Sequence, residues 1–149
     1  MRGIKPKEYL SQIRRLNTMI EQKQKERDSL RDIDGVSGID MSKDPVQTSP
    51  NGSAPFERTI ERILTLEDEI DKLIAEYITK RNRIIEEIHA LDNTNYIELL
   101  FKRYVECKSF ELIAVEMNYT YDWIREMHGH ALLAFERTHT NPQRPVLQW

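Results

Sequence analysis

The side chains of this 149-residue chain that most often bind metals are few and poorly spaced for a shared ion. His128 and His130 lie two positions apart, which on a helix separates them by about 200° instead of placing them on one face. Cys107 is the single cysteine, so the chain cannot form an internal disulfide. We therefore predict no metal or other cofactor, and we expect the reducing environment of the cytoplasm.

Carboxylates are concentrated in the middle of the chain, at Glu67, Asp68, Glu69 and Asp71. Carboxylates act as catalytic acids and bases only where a pocket shifts their pKa values. Here neither a paired nucleophile nor an apolar pocket accompanies them, and their spacing is typical of a solvated helix face. The sequence therefore predicts that the protein is not an enzyme.

Basic residues near the C-terminal end could neutralise phosphate groups instead. Lys102, Arg103, Lys108 and Arg125 occur in a segment, residues 92–149, that has six basic and eight acidic side chains. The net charge of the whole chain is −3. Any attraction for nucleic acid must therefore come from the local arrangement of these cations.

The elements that position these residues are predicted to be helices, because apolar residues make up 39% of the chain and only five residues are glycine. From Pro6, apolar residues recur at steps of three and four, so residues 1–33 are predicted as a first helix. Residues 34–55 contain three prolines and four serines and are predicted as a flexible linker. Residues 56–91 lack glycine and proline and are predicted as a second long helix. No segment approaches the ~20 apolar residues of a membrane span.

These two long helices are predicted to pair as an antiparallel coiled-coil hairpin. Residues 1–33 have nine basic and five acidic side chains, whereas residues 56–91 have six and nine, so the two should attract each other. One alignment places Lys23 opposite Glu67, and this polar pair would fix the register; a shift of one heptad remains open. The apolar face of the second helix is wider than one partner can cover, which favours a homodimer. The predicted oligomerisation residues are Ile63, Ile70, Leu73, Ile74, Tyr77, Ile84 and Ile88.

Residues 92–137 have the pattern of a helix-turn-helix module, with a new helix expected to begin at Asn95. Ser109 can cap a helix that ends at Met117, Asn118 can adopt the left-handed conformation of a tight turn, and Thr120 can cap a last helix. Residues 138–149 are predicted as a tail. We therefore expect an all-α fold in which the last helix can enter a DNA major groove.

The exposed face of that last helix is the predicted DNA-reading surface. Arg125 is expected to reach a guanine edge, while Lys102, Arg103 and Lys108 hold phosphates. Because the same face includes acidic residues, a module that binds only protein remains open. The full set of predicted DNA-binding residues is Lys102, Arg103, Lys108, Ser109, Thr120, Tyr121, Asp122, Arg125, Glu126 and Gly129.

Four stretches resemble the ArpU and RinA type of phage late-transcription regulators: Tyr96–Val105, Ser109–Ala114, Met117–Thr120 and His128–Leu132. They are more distantly similar to the fourth region of bacterial sigma factors. With Lys7–Leu10, the resemblance covers nearly all of the chain outside the linker and tail. It implies a phage or prophage protein that activates late genes by binding promoter DNA in the bacterial cytoplasm. The alternatives are a coiled-coil adaptor, or a sigma mimic, that binds host RNA polymerase or another protein.

Overall fold

The computed structural model describes residues 5–33 and 53–140, and both ranges are predominantly helical. The prediction of an all-α fold is confirmed. None of the helices in these two ranges is long and apolar enough to cross a membrane. The elements are α1 (Pro6–Leu10), α2 (Gln12–Arg31), α3 (Ser53–His89), α4 (Thr94–Leu100), a π-helical turn (Phe101–Val105), α5 (Phe110–Met117) and α6 (Tyr121–Thr140).

Several predicted helix boundaries differ from the structure by a few residues. The predicted first helix, residues 1–33, is divided at Ser11 into α1 and α2, which ends at Arg31, and α3 ends at His89 instead of Leu91. α3 begins at Ser53 instead of Phe56, so the last three residues of the predicted linker belong to a helix. α6 continues to Thr140, because the last turns of this helix still bury His139 against the core. The remainder of the predicted linker, residues 34–52, and the end of the predicted tail, residues 141–149, lie outside the described residues.

The start of α4 also differs from the prediction. Asn93, instead of Asn95, is the capping residue, and its side-chain oxygen accepts hydrogen bonds from the backbone N–H groups of Asn95 at 2.9 Å and Tyr96 at 3.3 Å. An asparagine side chain satisfies the first free N–H groups of a helix equally well from either position. The two asparagines lie two residues apart, so the error moves the helix start by less than one turn.

The chain divides into two compact units, which we call the middle unit, residues 16–76, and the terminal unit, residues 1–15 and 77–149. In the middle unit, α2 and α3 bury apolar side chains and exchange ion pairs. The buried residues are Leu16 and Ile20 of α2 with Ile63, Leu66 and Ile70 of α3.

The predicted pair of Lys23 with Glu67 is wrong. Lys23 Nζ lies 2.9 Å from Glu69 Oε2, and Glu67 pairs with Arg31. The reason is that Leu66 is buried at the position where the prediction placed Glu67. Burial of a leucine is favourable, whereas burial of a carboxylate is costly. Leu66 therefore takes the inward position at this one layer, while Ile63 and Ile70 on either side are buried as the predicted seam requires.

Four predicted oligomerisation residues are buried within the single chain, so they cannot form an exposed face for a second copy. They are Ile63, Ile70, Ile84 and Ile88. The other three, Leu73, Ile74 and Tyr77, are half-buried. The apolar residues of α3 with about half of their surface exposed are Leu64 in the middle unit and Ile78 in the terminal unit.

The terminal unit has two apolar clusters. The larger one packs residues of α1, α2, α3, α4 and α6, and Phe135 of α6 lies 6.1 Å from the ring of Tyr9. The smaller one joins α4, α5 and α6 and buries apolar side chains from all three helices. Its members are Leu99, Ile113, Ala114, Ile124 and Met127.

The carboxyl side chain of Glu87 is completely buried among the described residues of the terminal unit. Glu87 has 0% exposure, and its Oε1 accepts a 2.7 Å hydrogen bond from the Tyr9 hydroxyl. Its Oε2 has no hydrogen-bond partner among the described residues. His139 Nε2 donates to the backbone oxygen of Glu87 at 3.0 Å, which holds the end of α6 against α3. Burial raises the pKa of the Glu87 carboxyl.

Candidate nucleic-acid interface

Three polar residues cap the helices of this module, as predicted: Ser109 lies at the start of α5, and Asn118 and Thr120 lie in the turn between α5 and α6. Ser109 Oγ accepts from the N–H of Leu112 at 3.3 Å, and Thr120 Oγ1 accepts from the N–H of Trp123 at 3.1 Å. Asn118 has φ 60° and ψ 41°, which is the left-handed conformation. Each of these contacts satisfies or redirects backbone groups at a helix end. The start of α6 is therefore held in a defined direction relative to α5.

α6 presents an exposed face on the side away from its buried stripe of Ile124 and Met127. The side chains predicted to lie there are all exposed, and the Arg125 guanidinium lies 5.7 Å from the ring centroid of Tyr121. This face has one fixed positive charge and two carboxylates. It consists of Tyr121, Asp122, Arg125, Glu126 and Gly129.

Two of the predicted phosphate-binding residues are paired with carboxylates of the protein itself. Glu116 accepts from Lys102 Nζ at 3.0 Å and from Lys108 Nζ at 2.8 Å, and Glu106 lies 2.8 Å from Lys108. Hydrogen bonds from Lys108 and then Lys102 lower the pKa of Glu116, so this carboxylate is ionised at neutral pH. The two lysines therefore present little uncompensated positive charge.

Arg103 has a different environment from these lysines. Its Nη1 donates to the backbone oxygen of Lys108 at 3.0 Å, and its guanidinium carbon lies 4.1 Å above the ring centroid of Phe110. These contacts fix the guanidinium plane. In the described ranges, no carboxylate pairs with the charge of this guanidinium. A cation held in this way is preorganised for an anion.

Arg103 and Arg125 line the same cavity, which has a volume of about 390 Å³. Lys7 of α1 and Arg14 of α2 line it as well, and no carboxylate is among its described lining residues. We call this feature the basic cavity. Its remaining described lining residues are Ser11, Tyr104, Phe110, His128 and Gly129.

Sequence reasoning missed Lys7 and Arg14, because it assigned the basic residues of the N-terminal segment to attraction for the second long helix. The excess of positive charge in residues 1–33 was the available signal. This excess identified a surplus of cations without indicating which of them would lie beside the last helix. Their position depends on how α1 packs against α6.

The wall of the basic cavity contains a hydrogen-bonded pair, with 2.7 Å between Tyr104 Oη and His128 Nε2. Burial raises the pKa of Tyr104 to about 12. Burial, and then the charges of Arg103 and Lys7, lower the pKa of His128 to about 4. At neutral pH the tyrosine hydroxyl therefore donates to an uncharged imidazole. The lowered pKa also reflects the positive electrostatic potential inside the cavity.

A second surface of the same unit is apolar. Leu112 and Val115 lie about one turn apart on α5, and both are exposed, Val115 at 74%. Trp123, in the first turn of α6, has about half of its surface exposed, whereas the next residue, Ile124, is buried in the small cluster. The terminal unit therefore offers both a cationic and an apolar feature.

No protein-family model, curated protein or solved structure matches this chain. The nature of the interface is therefore argued from the chemistry of its residues. Within the described ranges, no group of three or more histidine, cysteine or acidic side chains could hold a metal ion.

Proposed function

We propose that this protein is a DNA-binding transcription regulator of the phage late-gene type, acting in the bacterial cytoplasm. In this proposal α5, its turn and α6 are a helix-turn-helix module. The main support is that a firmly capped turn presents the exposed face of α6 beside a cavity lined by four cations. A major groove admits one helix of this kind, and the flanking phosphates need cations next to it.

Arg125 is the residue of α6 best suited to read a base. Its long, exposed side chain ends in a fork of donors that matches the O6 and N7 acceptors of guanine. Ser109 and Thr120 each accept a backbone hydrogen bond, which leaves their hydroxyl hydrogens free to be donated to a phosphate. Base reading by α6 is therefore compatible with phosphate contacts at the starts of α5 and α6.

The long helices are proposed to join two copies of the module. α2 and α3 of the middle unit would form an antiparallel coiled-coil hairpin, and exposed apolar residues of α3 such as Leu64 would contact a second copy. Two modules on one dimer can read two half-sites about one helical turn apart. Sedimentation equilibrium should give a dimer, and Leu64→Glu should shift it toward monomer. A wild-type monomer at micromolar concentration would contradict this part of the proposal.

The DNA-reading role can be tested by selecting bound sequences from a random duplex library and measuring their affinity by fluorescence anisotropy. Arg125→Ala should cost roughly 1–3 kcal/mol on a selected site and much less on random DNA, because the lost contact is to a base. Arg137→Ala is the matched control, since Arg137 is also an exposed arginine of α6. Enrichment of no sequence, with no salt-sensitive binding at about 50 mM salt, would refute the role.

A second test addresses the lysines that are paired with Glu116. Glu116→Gln removes the charge that neutralises Lys102 and Lys108 while preserving the size of the side chain. Affinity for random duplex DNA should rise, and the slope of log affinity against log salt should steepen by about one unit, because Lys102 becomes available to phosphates while Lys108 keeps its pair with Glu106. Glu111→Gln, an exposed position at the start of α5, is the control. Equal effects of the two substitutions would contradict the assignment of these lysines to phosphate binding.

A protein partner is the second candidate, and the exposed apolar residues of α5 favour it. Leu112, Val115 and Trp123 expose apolar surface that a DNA groove would not require, and acidic Asp122 and Glu126 would oppose phosphates. In this case the module would act as an adaptor or sigma mimic on host RNA polymerase. Val115→Asp should abolish binding to purified polymerase, whereas Arg125→Ala should not. The opposite pattern would favour direct DNA binding.

A further inference from the structure

Among residues 5–33 and 53–140, no carboxylate forms an ion pair with any of the four cations of the basic cavity. In the described ranges, Lys23, Arg31 and Arg62 each pair with a carboxylate, as do the lysines beside Glu116. Lys7, Arg14, Arg103 and Arg125 have no such pair there, although they converge on one concave site. Like charges that face a common cavity repel each other, and an anion would relieve this repulsion.

The donor set fits a phosphate group better than it fits a carboxylate. Two guanidinium groups and one ammonium group can supply many N–H donors from different directions, and a phosphate has several oxygens to accept them. Arg103 is already fixed by its stacking on Phe110 and its bond to a backbone oxygen. A volume of about 390 Å³ can admit a phosphate together with the group that bears it.

We propose that the basic cavity is a phosphate-binding site formed jointly by the N-terminal segment and α6. Lys7, Arg14 and Arg103 donate to the phosphate oxygens, and Arg125 lines the same cavity and adds positive charge while its guanidinium donors serve a base. If the phosphate belongs to a DNA backbone, this inference rests on the proposed function and makes α1 and α2 part of the DNA-binding surface. If it belongs to a small phosphorylated molecule, the site exists independently of DNA. The chemistry of the contacts is the same in both cases.

Arg14 and Arg15 provide a matched pair of variants for the test. They are consecutive residues of α2 and both are exposed, but only Arg14 is among the described lining residues of the cavity. Arg14→Gln and Arg15→Gln therefore change the net charge equally and differ in the cavity. Because both side chains are exposed, neither substitution removes core packing. Far-UV circular dichroism verifies that each full-length variant is folded.

Two probes separate the sources of the phosphate. The first probe is inorganic phosphate, and NMR of the His128 ring monitors its binding. Sodium chloride at equal ionic strength is the reference. An anion beside His128 stabilises its protonated form and should raise its pKa in the wild type and in Arg15→Gln, but much less in Arg14→Gln. The second is a random 20-base-pair duplex, followed by fluorescence anisotropy at several salt concentrations.

A backbone phosphate is the source if Arg14→Gln weakens duplex binding about tenfold and lowers the salt slope by about one unit while Arg15→Gln changes binding by less than about twofold. If the His128 response to inorganic phosphate depends on Arg14 but no variant binds the duplex, the phosphate site stands and the proposed DNA role fails. If the two variants behave alike with both probes, or the wild type responds to neither, the phosphate site is refuted. Similar duplex losses in both variants would refute it while leaving DNA binding intact.

Gly129→Glu is a second, independent variant. An added Cβ at Gly129 meets no atom within 4 Å and Gly129 is exposed, so a side chain can begin there without a clash, and circular dichroism verifies that the variant is folded. Its carboxylate would stand at the wall of the cavity and compete with phosphate for the cations. The His128 response to inorganic phosphate should disappear in this variant. A full response there would contradict the proposed location of the site.

Discussion

Replacement of Glu87 by glutamine should stabilise the protein at high pH and leave it unchanged at low pH. The Glu87 side chain is fully buried and receives one hydrogen bond, from Tyr9, while Oε2 has no partner in the described ranges. Burial raises the pKa of this carboxyl, and the charge of Arg83 opposes the rise only in part. The protonated form is therefore favoured in the folded state, and a glutamine amide reproduces its neutral shape.

The direction of the effect follows from proton linkage. An unfolded glutamate titrates near pH 4.3, below the raised pKa of the folded one. Between these two values the folded protein holds one more proton than the unfolded chain, so its unfolding free energy falls as pH rises, by at most about 1.4 kcal/mol per pH unit. Below pH 4 both states are protonated and the penalty vanishes. A buried carboxylate oxygen without a partner costs about 1–3 kcal/mol or more, so we expect Glu87→Gln to gain about 2 kcal/mol at pH 8.

Urea unfolding followed by circular dichroism between pH 4 and pH 8 measures this difference directly. All other titrating groups are shared by the two proteins. Subtracting one curve of unfolding free energy against pH from the other therefore isolates the contribution of Glu87. The curves should coincide near pH 4 and separate as pH rises. If the wild type instead gains stability over Glu87→Gln with rising pH, Glu87 is an ionised partner of a cation and the argument from burial is refuted.

Three further predictions concern the terminal unit. Gly129→Ala should raise the unfolding free energy measured in urea by about 1 kcal/mol, since Gly129 lies inside α6 and an added Cβ meets open space; a loss would mean that the space is not open. Asn118→Ala should cost about 1 kcal/mol and Asn118→Gly much less, because of the left-handed backbone at this position; equal costs would contradict this. In the Glu87→Gln background, stability should fall from pH 6.5 toward pH 4, because the unfolded chain takes up a proton that folded His128, with its pKa of about 4, resists. The His128 ring is only half-buried, so the total loss should stay below about 2 kcal/mol, and a stability that rises over this range would contradict the assignment.

Helix ends around the turn could be predicted because capping is a local property of the chain. The functions of Ser109, Asn118 and Thr120 depend on residues no more than four positions away. The buried stripe of α6 that includes Ile124 and Met127 can also be predicted, since the spacing of its apolar residues identifies one face. Sequence patterns of this kind need no information about distant parts of the protein.

The register of the long helices could not be predicted in the same way. Leu66 and Glu67 are neighbours, and each continues a regular pattern of steps of three and four through Ile63 and Ile70. The predicted pattern placed Glu67 inward because steps of four and three then alternate strictly along the helix, and the resulting alignment put Lys23 opposite Glu67. In the structure Leu66 is buried and Lys23 pairs with Glu69. Salt bridges near the surface contribute little, so they should not outweigh the burial of a leucine when a register is chosen.

The distribution of charge explains why a net charge of −3 is compatible with an anion site. Coulombic interactions in water are screened beyond about 10 Å, so the charges near a site matter more than the total. Carboxylates of Glu116 and Glu106 are occupied by Lys102 and Lys108. The cations of the basic cavity converge on one concave site, so together they attract an anion more strongly than single exposed cations such as Arg15 and Arg137. This convergence favours a defined orientation on a ligand over general attraction.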